Sequence, residues 1–350
     1  MVQRLFSIET VNGIRPLRPS TDLSGLADLI EQAFGDELAL GGEHVLRELR
    51  VMGRLGPFSL LLLAASSPVD GLLNGYVWEQ DGRVVGNVTI SCPTGNSRRW
   101  QLSNVAVWDA YRGQGIGRRL VETALDDVKQ RGGHTAYLYV REDNPAAVHL
   151  YKSLGFSALD TLFDLAFQGP EPRLPAGSQA QGELRPQGEL RPQTGLCVLR
   201  RLRPREGQAL YELARRARGP GQKWLGLPRR RRFVRAADER LFQGLSAIWT
   251  GQRETFWGIS TPDRRLCAGL RARATSGWNR KPHRLELWVH PAYRGRLEQR
   301  LAQDVTTLIA GLAPRRVYLS LPACEQAARD ALLERGFVEV RALTLMKLEL

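Results

Sequence analysis

The stretch AVWDAYRGQGIGRRL, Ala106–Leu120, joins a β-rich run to a glycine-punctuated turn and then to an amphipathic helix. The helix reads from Ile116 to about Arg131, with Ile116, Leu120, Ala124 and Val128 on one stripe and Gly132-Gly133 ending it. Arg112, Gly115 and Gly117 leave the turn without side-chain obstruction. Several backbone N–H groups can therefore point at an anion where the helix dipole is positive, and a pyrophosphate is the natural occupant. The same glycines also suit close packing of helix on strand, and spacing alone leaves both readings open. The turn lacks the Gly-Lys-Ser/Thr ending of a P-loop and does not follow the first strand of a βαβ unit, so it is no dinucleotide fingerprint.

The phrase returns as WVHPAYRGRLEQRL, Trp288–Leu301, without two of the glycines. Further pairs follow in the same order. IRPLRP at Ile14–Pro19 answers LRRLRP at Leu199–Pro204, and LYKSLGF ending at Phe156 answers LLERGF ending at Phe337. Ordered matches at a nearly constant offset mark an internal duplication. Between the halves, GPEPRLPAGSQAQGELRPQGELRPQTG, Gly169–Gly195, holds too few apolar residues for a core and reads as a linker. The expected organisation is a first domain over 1–168, a linker over 169–195 and a second domain over 196–350.

The element order of the first half reads βααββ-β-α-β-α-β. Ile14–Pro19 is a strand, Asp22–Phe34 a helix with Ser20 or Thr21 as cap, and Glu43 to about Leu63 a second helical region. A hairpin turns at Asp81-Gly82. After the Gly-rich turn and its helix come a strand in TAYLYVR, a short helix in NPAAVHLYKSLG, and closing strand material in SALDTLFDLAF. The fold class is α/β, an α+β mixed sheet, written as two tandem domains that each carry a mixed, mostly antiparallel sheet flanked by helices.

The 350 residues suit two domains at ~150 residues each, and 43% hydrophobic with 25% charged residues is ordinary for a globular chain. The net charge of +14 favours anionic ligands, yet it comes almost wholly from arginine spread along the chain, with five lysines. Cys92, Cys197, Cys267 and Cys324 stand apart with no CxxC, so neither a disulfide framework nor a metal site is expected. The apolar run FSLLLLAA, Phe58–Ala65, is far short of the ~20 residues that span a bilayer. A cytoplasmic protein with no membrane partner is expected.

Val105–Leu120 together with DNPAAVHLYKSLGF resembles the GCN5-related N-acetyltransferase (GNAT) superfamily, across the whole first half in element order. The resemblance implies acetyl-CoA as co-substrate and a primary amine, on a small molecule or a peptide, as acceptor. It implies that Arg112, Gly113, Gln114, Gly115, Ile116, Gly117 and Arg118 hold the pyrophosphate, and that the backbone of Val105, Ala106 and Val107 pairs with the pantetheine arm. The Val107 N–H is then the donor to the thioester oxygen as it becomes an oxyanion. Tyr151 is the general acid for the departing thiolate, and Asn144 caps its helix or contacts the cofactor. Tyr151 also shares a helical stripe with Ala147, Val148 and Leu154, which taken alone suits a core residue, while the surrounding motif favours the acid.

The family's histone-type members carry a glutamate base six residues before the position of Val107, where this chain has Gln101. Glu79, Glu142, Asp143 and a water chain all remain open as the base. In the second copy, Arg296 or Leu297 and Glu298 or Gln299 replace the cradle glycines, Leu332 stands for Tyr151 and Glu325 for Asn144. Cofactor binding and acid catalysis are expected to be absent there, a glutamate in the cradle opposing the ligand's charge. Arg229–Arg232, beside Trp224 and Phe233, suits an acidic or nucleic-acid partner or a solvated face, the latter favoured. The expected assembly is a monomer with an internal pseudo-dimer, or a homodimer. A second function class, an acyl-CoA-binding regulatory or nucleic-acid-binding or protein-binding module without turnover, stands beside the enzyme.

Overall fold

The alternation of apolar residues seen in the sequence becomes two sheet-and-helix units in a computed structural model of the chain. The structure describes residues 12–38, 46, 50, 74–92, 98–168, 199–234, 251–263, 265–276 and 281–350. The linker over 169–195, Cys197 and nearly all of the helical region expected over 43–63 lie outside the described residues. One unit takes in residues 1–140, 144–158 and 345–350, and the other 141–143 and 159–344.

In the first unit, strands β1 (Gly13–Pro16), β2 (Gly75–Gln80), β3 (Arg83–Ser91), β4 (Arg99–Val107) and β5 (Thr135–Arg141) lie in that spatial order. The β2–β3 hairpin turns on Asp81 and Gly82, both with positive φ, the two-residue turn whose twist matches its strands. Helix α1 (Pro19–Leu38) starts three residues ahead of the expected Asp22. Pro19 suits a first turn that needs no N–H, and the Asp22 carboxylate accepts the Arg18 N–H at 2.6 Å. Leu23, Leu26, Ala27 and Ile30 of α1 bury against Val77. The neighbouring strand positions Tyr76 and Trp78 face the other core, made with α2 (Ile116–Gln130).

The stripe expected on α2 is buried in full, through Ile116, Leu120, Val121, Ala124, Leu125 and Val128. Each large side chain there contributes about 1.5–3 kcal/mol of gross burial. The helix sits close because β3 offers Gly86 beneath it, where a Cβ would come within 2.9 Å of Leu120 Cδ1. Helix α3 (Pro145–Ser153) follows β5. The C-terminal residues close this unit: Met346 is buried in the α2 core, Leu350 N–H donates to His134 O at 2.9 Å, and Thr135 Oγ1 donates to Glu349 Oε2 at 2.8 Å.

The second unit contains β6 (Ser157–Phe167) from Leu159 onward, β7 (Arg200–Arg201), α4 (Gly207–Arg216), α5 (Pro220–Leu225), β8 (Gln252–Ser260), β9 (Leu266–Thr275) and β10 (His283–Val289). It continues with α6 (Glu298–Ala310), β11 (Val317–Pro322), α7 (Gln326–Leu333) and β12 (Phe337–Glu349) as far as Thr344. Strand β6, expected to close the first half, pairs antiparallel with β11 over Leu162–Phe167. An apolar strand with two faces to cover is compatible with either half's sheet, so pattern alone does not choose its neighbour. The duplication persists in register. β4 pairs parallel with β5 over three residues, Arg99–Gln101 with Thr135–Tyr137, and β10 pairs parallel with β11 over three, His283–Leu285 with Val317–Leu319. The other described pairings are antiparallel, so each unit is a mixed, mostly antiparallel sheet flanked by helices.

Glu325 is buried in this second unit, its carboxylate 2.7 Å from Arg294 Nη2, with Glu298 nearby. Burial outweighs the arginine's attraction and raises its pKa to about 7. The folded protein therefore binds this proton more tightly than the unfolded chain, so the stability it contributes is complete below the ordinary carboxyl pKa and is lost as pH rises through about 7. Glu325→Gln, which keeps the neutral shape, is expected to match wild type in urea denaturation near pH 4.5 and to exceed it by about 2–3 kcal/mol at pH 8. Equal stabilities at both pH values would contradict this.

Candidate active site

Past Gln101 and Tyr137 the parallel pairing of β4 with β5 stops, and the two strands part. On its other edge β4 bulges. Asn87 pairs with Ala106 and Thr89 with Ser103, so Asn104 and Val105 together oppose Val88. Asn104 takes φ +50°, a conformation costly for a residue with a Cβ. Fully buried Asn87 holds it there, its Nδ2 donating to Asn104 O at 2.9 Å. A bulge bends its strand and re-aims the backbone that follows, here Val105, Ala106 and Val107. Neither asparagine was singled out in the sequence; an Asn pair on adjacent β runs was the available signal.

The turn after β4 is built from left-handed glycines, Gly113 and Gly115 both at φ +78°, the second capping α2. Among the described residues, no acceptor meets the backbone N–H of Gly113, Gln114, Gly115, Ile116, Gly117 or Arg118. Arg112 stands at the rim, its Nε donating to Val107 O at 3.2 Å and its Nη2 2.7 Å from Asp109 Oδ1. Gly117 lies where three elements meet, since a Cβ there would be 3.7 Å from Leu150 on α3 and 3.8 Å from Val107 on β4. Arg118 also reaches Ser153 Oγ at the end of α3.

Tyr151 is buried on α3, its ring edge-on to Phe156 with centroids 5.8 Å apart. The ring belongs to the core, and its hydroxyl takes no hydrogen bond among the described residues. Burial raises the phenol's pKa, so it stays protonated at neutral pH. Asn144 is the helix cap, its Oδ1 accepting the Ala147 N–H at 3.0 Å. At the base position, Gln101 Oε1 accepts the Tyr137 hydroxyl at 3.4 Å. The three carboxylates considered are engaged: Glu79 pairs with Arg15, Asp143 with Arg141, and Glu142 accepts the Thr161 and Thr344 hydroxyls at 3.0 Å. Asp143's partner holds its carboxyl below the usual range. Among the described residues no three His, Cys, Asp or Glu side chains gather as a metal site, and no helix is long and apolar enough to cross a membrane.

Residues 62–156 match the model of the acetyltransferase (GNAT) family, a span that holds the bulge, the Gly-rich turn and Tyr151. This segment of the chain is a GNAT-family domain. It is 48% identical over 56 residues to the [ribosomal protein bS18]-alanine N-acetyltransferase of Escherichia coli, covering 16% of this chain and 38% of that protein. Against the streptothricin acetyltransferase of Streptomyces lavendulae it is 32% identical over 103 residues, 29% of this chain and 49% of that one. The chain thus spans between about two fifths and half of the length of these relatives. Over nearly its whole length it shares the fold of a GCN5-related N-acetyltransferase from Sphaerobacter thermophilus, with a TM-score of 0.61 at 18% identity, covering 96% and 95% of the two chains.

The second copy of the GNAT phrase lies outside the matched span. Leu332, the counterpart of Tyr151, is buried in the core of the second unit and brings no hydroxyl. Arg230–Arg232 form one exposed 3-10 turn whose neighbour Phe233 packs inward against Trp288 and Tyr211.

Proposed function

We propose that the chain is an acetyl-CoA-dependent N-acetyltransferase whose chemistry resides in the first unit alone. The arc of six unmet N–H groups at the start of α2 supports this most directly, because a pyrophosphate satisfies several of them at the positive end of a helix. Arg112 and Arg118 add positive charge at its edge. The backbone of Val105, Ala106 and Val107, freed from β5, is available to the pantetheine arm, and the Val107 N–H to the thioester oxygen. The amine nitrogen attacks the thioester carbon, the C–S bond breaks, and Tyr151 donates its proton to the departing sulfur. With Gln101 and its partner Tyr137 uncharged, the amine loses its proton to water rather than to a carboxylate at that position.

The acceptors in the relatives' names, an alanine of ribosomal protein bS18 and streptothricin, define the first panel. Thiol release from acetyl-CoA in the presence of alanine-terminated peptides, streptothricin and simple amines is expected to exceed hydrolysis for at least one class. The alternative of a binding module without turnover draws on Gln101 and the exposed arginines. It is favoured by acyl-CoA binding with no amine-dependent thiol release and with salt-sensitive retention of nucleic acid.

A further inference from the structure

The turn after β10 repeats the backbone of the first cradle without its openness. Gly295 adopts φ +79°, as Gly113 adopts +78°. The buried stripe Leu297, Leu301, Val305 and Ile309 follows the same four-residue steps as Ile116, Leu120, Ala124 and Val128, which sets Glu298 at the position of Gly117. Glu298 is buried, and its carboxylate folds back over the turn: Oε1 accepts the Gly295 N–H and Oε2 the Leu297 N–H, each at 2.9 Å. A negative group thus sits on the N–H arc that is open in the first unit.

The neighbouring counterparts have moved with it. Arg294, in the place of Arg112, turns inward and donates through Nη2 to Ala217 O and to Glu325 Oε1, both at 2.7 Å. Glu325 replaces the capping Asn144 but makes no cap; its side chain is 2% exposed, Oε2 has no hydrogen-bond partner among the described residues, and the Val289 N–H faces the carboxylate. Val289 stands to Tyr293 as Val107 stands to Tyr111. Carboxylates therefore occupy both ends of the path that a pyrophosphate and its acyl arm would take.

We infer that the turn at Gly295–Leu297 is a second anion site whose permanent ligand is the chain's own Glu298, with Glu325 filling the approach to Val289, and that a pyrophosphate-bearing ligand enters only once both are removed. A tethered carboxylate is present at high effective concentration, and CoA in solution does not displace it. Beyond the expected opposition to the ligand's charge, the glutamate satisfies the cradle's donors as a ligand does. The inference rests on the reading of the first cradle as a CoA site, and the test separates the two. By calorimetry with CoA, wild type is expected to bind one equivalent per chain, Gly117→Glu none, and Gly117→Glu with Glu298→Gly and Glu325→Asn one again. Two equivalents on wild type, or none on a triple variant that melts cooperatively, overturns the inference. Amide hydrogen exchange on wild type judges it independently of CoA and of variant folding. Gly295 and Leu297 should exchange at least tenfold more slowly than Gly113–Arg118, and equal rates overturn the plug. Absence of CoA binding throughout would instead refute the first cradle while leaving the exchange result to stand.

Discussion

Gly117→Glu is expected to lower acetyl-CoA affinity by ~100- to 1,000-fold, about 3–4 kcal/mol, while the chain keeps its fold. Nothing opposes the substitution sterically at its root, since a Cβ at Gly117 meets only ordinary van der Waals contacts at 3.7 and 3.8 Å. Its backbone is not in the left-handed region, unlike that of Gly113 and Gly115. The new carboxylate sits in the first turn of α2 with six unmet N–H groups around it, the setting in which Glu298 of the second unit closes on Gly295 and Leu297. Filling the arc removes several charge-assisted hydrogen bonds at once and adds repulsion between carboxylate and pyrophosphate. Calorimetry reads the affinity and thermal melting the fold. Binding within threefold of wild type would sink the assignment of this turn as the cofactor cradle.

Tyr151→Phe is expected to reduce kcat by about 10²–10⁴ with KM nearly unchanged. The hydroxyl has no partner among the described residues, so its loss leaves no buried group stranded, and the ring keeps its edge contact with Phe156. Stability should stay within about 0.5 kcal/mol of wild type, because no internal hydrogen bond is broken. Since burial holds the phenol protonated well past neutrality, the deficit should be the same from pH 6 to 9 rather than appear on one limb of the profile. Steady-state thiol release across that range is the measurement. A kcat within threefold of wild type would return Tyr151 to the core role alone.

Both experiments concern residues that were legible in the sequence, because glycine spacing and helical periodicity are local properties. The hairpin at Asp81-Gly82, the stripe on α2 and the Asn144 cap all follow from interactions within a few residues. The Asn87–Asn104 contact crosses a strand pair and depends on register, which no local pattern specifies. The same holds for β6, whose apolar run carries no mark of the sheet edge it joins.

By itself, then, the sequence determined the GNAT element order, the duplication, and which copy kept the glycines of an open cradle. It also determined that the second copy lacks the tyrosine hydroxyl. Tertiary structure alone decided that β6 joins the second unit while Leu345–Leu350 join the first, and that a buried asparagine holds the bulge. It alone showed Glu298 turned onto the N–H groups of its own helix rather than out to solvent. The physical reason is that a side chain's identity is written in the sequence, but the direction it takes is set by which unmet donors the folded backbone leaves within its reach.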